Sequence, residues 1–164
     1  MRPQSASFDN CCNTAVRRAA RQLGQLYDDV IESSGLRSTQ GTLMAVVSNA
    51  GAATASELAE WLVMDLSALG HTLKPLIRDG FLRSTPDPRD RRARRITLTA
   101  KGTKKLEQIH ADWLIAQRAL LATFGEPEAF ALVKALDRIS DPAFADKFRS
   151  TVQKLREQPQ RKSG

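Results

Sequence analysis

Cysteine, histidine and tyrosine are scarce in this chain, and each shortage removes a class of function. The two cysteines, Cys11 and Cys12, are adjacent and have no CxxC spacing, so they supply neither a disulfide framework nor a zinc-ligand set. The two histidines, His71 and His110, fall in different predicted helices, which leaves no metal site to expect. A Walker loop, GxGxxG, GxSxG and HExxH are all missing, so catalysis has no support and no cofactor is expected. No apolar run approaches a membrane span, and the first 15 residues are polar without a signal-peptide core. The expectation is a cytoplasmic protein with no membrane partner. What the chain does carry is positive charge. Its formal net charge is +7 and its pI is near 9.9, which point to an acidic partner, either nucleic acid or an anionic surface.

That charge is concentrated. Between Arg83 and Arg95, six arginines (83, 89, 91, 92, 94 and 95) face Asp87 and Asp90, a net of +4 within one short segment. The residues before it explain how it is presented. Thr54 can cap a helix, and Glu57, three residues on, can reach back to it. Leu58, Ala59 and Leu62 recur at helical spacing. Asp65 offers a second N-cap, and Leu66, Leu69, Leu73, Leu76 and Ile77 form one apolar stripe of a second helix that ends at Gly80. Residues 81–85 and 95–99 read as two strands joined by the charged segment, whose Pro86 and Pro88 and lack of apolar residues other than Ala93 give it nothing to bury. Two short helices followed by a charged hairpin form a winged helix-turn-helix plan for holding DNA. Arginine suits such a wing because its flat, weakly hydrated fork fits a narrow, negatively charged minor groove.

The flanks are helical. Val16, Ala20, Leu23, Tyr27, Val30 and Ile31 define a long amphipathic first helix stopped by Gly35. Ser38 or Thr39 caps a second helix with Leu43, Val46 and Val47 inward. Thr99 caps a long helix with Leu106, Ile109, Trp113, Ala116, Leu120 and Phe124 on one face. Phe130, Val133, Leu136 and Ile139 follow, then a break at Ser140-Asp141-Pro142, then Phe144, Phe148, Val152 and Leu155. The fold class is mainly α with a small two- to three-stranded β-wing. Residues 37–99 form the DNA-binding region, 100–124 a connecting helix, and 9–36 with 125–157 the terminal helices that form a dimerisation domain, leaving 1–8 and 158–164 as flexible tails. A single winged domain cannot cover the stripes of the terminal helices. Pairing with a second copy covers them and matches a palindromic DNA site; the alternative is a monomer whose end helices fold back.

Asp87-Pro88-Arg89-Asp90-Arg91-Arg92, followed by Ile96-Thr97-Leu98-Thr99-Ala100-Lys101-Gly102, resembles the wing signature (DPxDRR) and helix entry (LTxxG) of the MarR family of bacterial transcription regulators. The resemblance spans about residues 10–155. It implies a homodimer on double-stranded palindromic promoter DNA, usually a repressor released by a small molecule or an oxidant. It also implies roles for particular residues. Asp90 orients the wing and Arg92 enters the minor groove, with Arg89, Arg91 and Arg94 beside them. Asp65 pairs with a wing arginine and sets the wing's angle. Ser67, Ala68, Gly70, His71 and Lys74 face the major groove, His71 either as a donor to a base or phosphate or as a solvated residue. The sequence departs from the pattern in places. The turn Leu62-Val63-Met64 has no glycine, and Trp61 is large for its place. Gly70 admits close backbone approach. Pro75 removes one helical hydrogen bond, at a cost of roughly 3 kcal/mol if uncompensated, so a kink is expected with residues 67–74 reading the groove.

Two release mechanisms follow as expectations. One is a small organic effector, an aromatic acid or an acyl or acyl-CoA compound, held near Arg17, Arg18, Arg21, Tyr27, His110 and Trp113; surface charge and core packing are the plain alternatives for these residues. The other is oxidation at Cys11 or Cys12, with Arg17 and Arg18 lowering a thiol pKa at the helix start and Tyr27 nearby; the plain alternative is an inert thiol. Outside sequence-specific regulation, the competing classes are a non-specific architectural DNA binder and a winged helix that docks proteins.

Overall fold

Seven α-helices, one short 3-10 turn and one three-stranded antiparallel sheet make up residues 11–88, 90 and 92–157, which are the residues that the computed structural model describes. In order they are α1 (Cys12–Val30), α2 (Ser38–Ala50), β1 (Ala53–Thr54), α3 (Ala55–Trp61), α4 (Leu66–Arg78), β2 (Leu82–Pro86), β3 (Arg94–Leu98), α5 (Ala100–Phe124), α6 (Glu126–Ser140) and α7 (Pro142–Glu157). The expected tails, 1–8 and 158–164, lie outside the described residues. The chain divides after Arg118, within α5, into two units.

In the first unit the sheet has the order β1-β3-β2. Ala53 pairs with Ile96, Ser84 also pairs with Ile96, and Leu82 pairs with Leu98. This register turns Ala53, Leu82 and Ile96 into one core with Leu43, Met44 and Val47 of α2, Leu58 and Ala59 of α3, and Leu69, Leu73 and Leu76 of α4. Each large aliphatic side chain buried there stabilises the unit by about 1.5–3 kcal/mol. Two members of the expected α4 stripe are not in this core. Leu66 is 57% exposed and Ile77 36%. At about 100° per residue, Leu69, Leu73 and Leu76 cluster on one narrow arc, and Leu66 and Ile77 fall on its solvent-facing margin at the two ends of the helix.

The start of α2 also differs from the expected hydroxyl cap. The Ser38 backbone N–H donates to Asp28 Oδ1 of α1 at 2.6 Å, and the Arg37 N–H donates to Gln40 Oε1 at 2.9 Å. Burial pushes the Asp28 carboxyl up, but hydrogen bonds from Ser38 and the charge of Arg37 outweigh it and hold the group below its ordinary value of 3.8. Hydrogen bonds from Thr54 likewise hold Glu57 below 4.5. Both folded-state values are depressed, so the stability they contribute is complete above the ordinary carboxylate range and is lost as pH falls through the lowered values. The urea midpoint should therefore hold near neutrality and fall on acidification below pH 4.5. An Asp28→Asn/Glu57→Gln variant should show a shallower acid decline than the unmodified protein.

The apolar stripes of the terminal helices are only partly covered within each unit: Ile31, just past α1, is buried and Leu23 and Tyr27 are half-buried. No residue of α1 is buried, and Val16, Leu26 and Val30 are exposed. In the second unit only Ala129 is buried on α6, while Phe130, Val133, Ile139, Phe144, Phe148 and Leu155 are exposed. The break between α6 and α7 is a cap: Asp141 Oδ1 accepts from the Ala143 N–H at 2.8 Å.

Candidate nucleic-acid interface

The interface elements are set by local hydrogen bonds. The Glu57 N–H donates to Thr54 Oγ1 at 3.2 Å while the Thr54 N–H donates to Glu57 Oε2 at 2.7 Å, a reciprocal cap that starts α3. The glycine-free turn after α3 is closed by Val63, which takes φ +51°, and by the Met64 N–H on Ala59 O at 2.8 Å. A β-branched residue in the left-handed region costs roughly 1–2 kcal/mol, held in place by the helices on either side. Asp65 Oδ1 then accepts from the Ala68 N–H at 2.7 Å and starts α4.

On α4 the structure exposes Ser67, Gly70, His71 and Lys74 on the side away from Leu69, Leu73 and Leu76, while Ala68 is half-buried at the margin. The helix continues through Pro75 to Arg78, and the Asp79 N–H closes on Pro75 O at 2.9 Å. Asp65 Oδ1 caps its own helix. Among the described residues, the ion pair at the base of the wing is a different one: Arg95 Nε donates to Asp87 Oδ2 at 2.7 Å, and Arg95 Nη1 donates to Ala52 O at 3.4 Å. Asp87 is 5% exposed, so the hairpin does bury a group, and that group is a carboxylate. Composition alone concealed this, because a charge count treats every arginine alike.

The six arginines therefore divide. Arg95 is structural. Arg94 is held against β2, its Nε donating to Ser84 Oγ at 2.9 Å and its Nη2 to Ser84 O at 2.7 Å. Arg83 and Arg92 are exposed. Arg89 and Arg91 lie outside the described residues. Asp90 shapes the tip through its Oδ1, which accepts from the Arg92 N–H at 2.9 Å, and its carbonyl, which accepts from the Ala93 N–H at 3.0 Å. Asp87→Ala should cost about 1–3 kcal/mol in chemical denaturation, since it strands a charge-assisted hydrogen bond beside a partly exposed guanidinium.

The joint after the wing explains its threonine and glycine. Thr99 Oγ1 accepts from the Gly102 N–H at 3.0 Å and donates to Gly80 O at 2.6 Å, which ties the start of α5 to the turn after α4. A Cβ on Gly102 would collide with the Phe81 carbonyl oxygen. Lys101 Nζ donates to Asp79 O at 2.8 Å and lies 4.8 Å from the centre of the Phe81 ring.

His110 and Trp113 stack with centroids 5.6 Å apart and planes 18° apart, and Tyr27 Oη donates to Gln117 Oε1 at 2.8 Å. Burial pushes the Tyr27 phenol up. Arg17, whose Nε donates to Asn13 Oδ1, and Arg21 are exposed on α1. From Arg17 to Tyr27 is about 15 Å along the helix, and from Cys12 to Tyr27 about 22 Å, so Tyr27 is not beside the thiols. Backbone and side-chain hydrogen bonds from Thr14, with the Asn13 backbone, hold Cys11 below the ordinary thiol value. Cys11 is half-buried and Cys12 exposed.

A core of three short helices, a three-stranded sheet with a basic hairpin, and a capped helix with an exposed polar face define a winged helix-turn-helix protein. Residues 36–93 match the family model described as the MarR family. The DNA-bound crystal structure of the M. tuberculosis transcriptional regulator MOSR is 35% identical, covers 82% of this chain and 97% of its own, and superposes with a TM-score of 0.73. The transcriptional activatory protein BadR of Rhodopseudomonas palustris is 26% identical over 139 residues, 77% of this chain and 76% of BadR. A mutant of E. coli MarR, solved with operator DNA, is similar in fold, with 22% identity, 77% of this chain and 91% of that chain covered, and a TM-score of 0.71. The chain belongs to the MarR family. It is a transcription regulator and not an enzyme.

Proposed function

We propose that the protein is a homodimeric repressor that reads a palindromic operator with α4 in the major groove and the wing in the minor groove, and that a small organic effector releases it. One observation carries the reading: the polar side of α4 stands free of the core beside a basic hairpin whose base is locked by Asp87–Arg95. The uncovered apolar residues of α1, α6 and α7 support pairing with a second copy. The His110–Trp113 stack, a flat aromatic surface, supports an effector of aromatic-acid or acyl type. Fluorescence anisotropy on the protein's own upstream intergenic duplex and on scrambled duplex, over a salt series, tests it. A specific regulator holds its own site on the order of a thousandfold tighter. Equal binding to both duplexes would instead indicate an architectural protein, its log K falling against log salt by about 0.9 per phosphate neutralised. Thermal-shift screening with aromatic acids and acyl-CoA thioesters tests release.

A second reading is release by oxidation, favoured by the lowered thiol pKa of Cys11 at the cap of α1. A Cys11→Ser/Cys12→Ser variant whose DNA binding still responds to cumene hydroperoxide would exclude it.

A further inference from the structure

Leu66 is the first residue of α4, and it is 57% exposed. It shares an i, i+4, i+8 row with Gly70 and Lys74, both exposed. At about 100° per residue Leu66 stands about 40° from Gly70, at the N-terminal end of α4 where the core stripe borders the polar face assigned to DNA. In the free protein this placement gains nothing, because most of the side chain stays in water and the position is one where helices favour proline or acidic residues. One turn further, no heavy atom lies within 4 Å of where a Cβ on Gly70 would stand. The row thus runs from an apolar knob through a notch to a cation. The N-terminal residues of such a helix are the ones that meet base edges, and the apolar group on a major-groove edge is the C5-methyl of thymine.

We propose that Leu66 is a specificity-determining residue that recognises thymine by packing on its C5-methyl group, while the notch at Gly70 lets the adjoining base edge approach the helix backbone. This rests on the operator reading above and assigns one base preference within it. Cytosine, without the methyl group, leaves the leucine facing water in the groove and is discriminated against.

The test removes the methyl groups and nothing else. The upstream intergenic duplex is amplified with dTTP or with dUTP, and anisotropy is measured for the unmodified protein, Leu66→Ala and Arg92→Ala, with scrambled duplexes of both kinds reporting any general effect of uracil. The unmodified protein should lose about fourfold in affinity for each methyl group covered when thymine becomes uracil. Leu66→Ala should bind the thymine duplex more weakly and lose most of that sensitivity, whereas Arg92→Ala should bind weakly and keep it. An unmodified protein indifferent to uracil, or a Leu66→Ala variant with the full uracil penalty, would overturn the assignment. Failure of the unmodified protein to prefer its own thymine duplex over scrambled sequence would overturn the operator reading and the assignment together. Leu66 lies outside the core, so a thermal melt matching the unmodified protein establishes that the variant is folded.

Discussion

An Arg92→Ala variant is expected to bind the upstream duplex about tenfold to a hundredfold more weakly, with its melting temperature unchanged. The magnitude is that of removing an arginine from a specific DNA interface. Arg92 is exposed, and Asp90 pins its backbone N–H at 2.9 Å, so the tip geometry survives removal of the side chain. The slope of log K against log salt should fall by roughly one for each phosphate no longer neutralised. Arg95→Ala should behave in the opposite way. Arg95 is spent on Asp87 and Ala52, so its removal should lower stability first and DNA affinity only through a loosened wing. Anisotropy and thermal melts on both variants separate the two roles. Equal affinity losses with no melting difference would mean that the sorting of the arginines is mistaken.

A Gly102→Ala variant is expected to be destabilised by about 3 kcal/mol, the upper range for overpacking, because the added methyl meets backbone rather than a side chain that can move. The Phe81 carbonyl cannot retreat easily, since it also accepts from the Thr99 N–H at 3.1 Å. Relief requires α5 to lift from the turn after α4, which would break the Thr99–Gly80 link as well. Urea denaturation should show the loss as a lowered midpoint. Gly70→Ala is the contrasting control. It has open space around its Cβ and an ordinary helical backbone, so alanine should raise helix stability by up to about 1 kcal/mol while weakening DNA binding by filling the notch. If the two glycine variants lose stability equally, the close approach at Phe81 is not what requires a glycine at 102.

Elements governed by neighbours in sequence are readable without coordinates. Thr54 with Glu57, Asp65 with Ala68, and Thr99 with Gly102 are caps that close within three residues, so residue type and spacing suffice to locate three helix starts. The density of arginine between two strands is likewise a local signal. Where a partner comes from another element, the local pattern misleads. Ser38 looks like a cap, but its N–H is taken by Asp28, ten residues earlier on α1. The Asp87–Arg95 pair is a second case: a charge count does not single out either residue, and the strand register brings that carboxylate beside the guanidinium.

The order of helices and hairpin, the basic wing and the apolar faces are all written in the linear chain, because short-range hydrogen bonds and helical periodicity are encoded in adjacent residues. Which charges are spent and which are free depends instead on packing between elements. The folded protein buries Asp87 against Arg95, lays Arg94 on Ser84 and leaves Arg92 exposed. It also leaves Leu66, at the N-terminal end of the expected core stripe, exposed. Burial there depends on how far a helix extends past the elements packed against it, a distance that no periodicity contains.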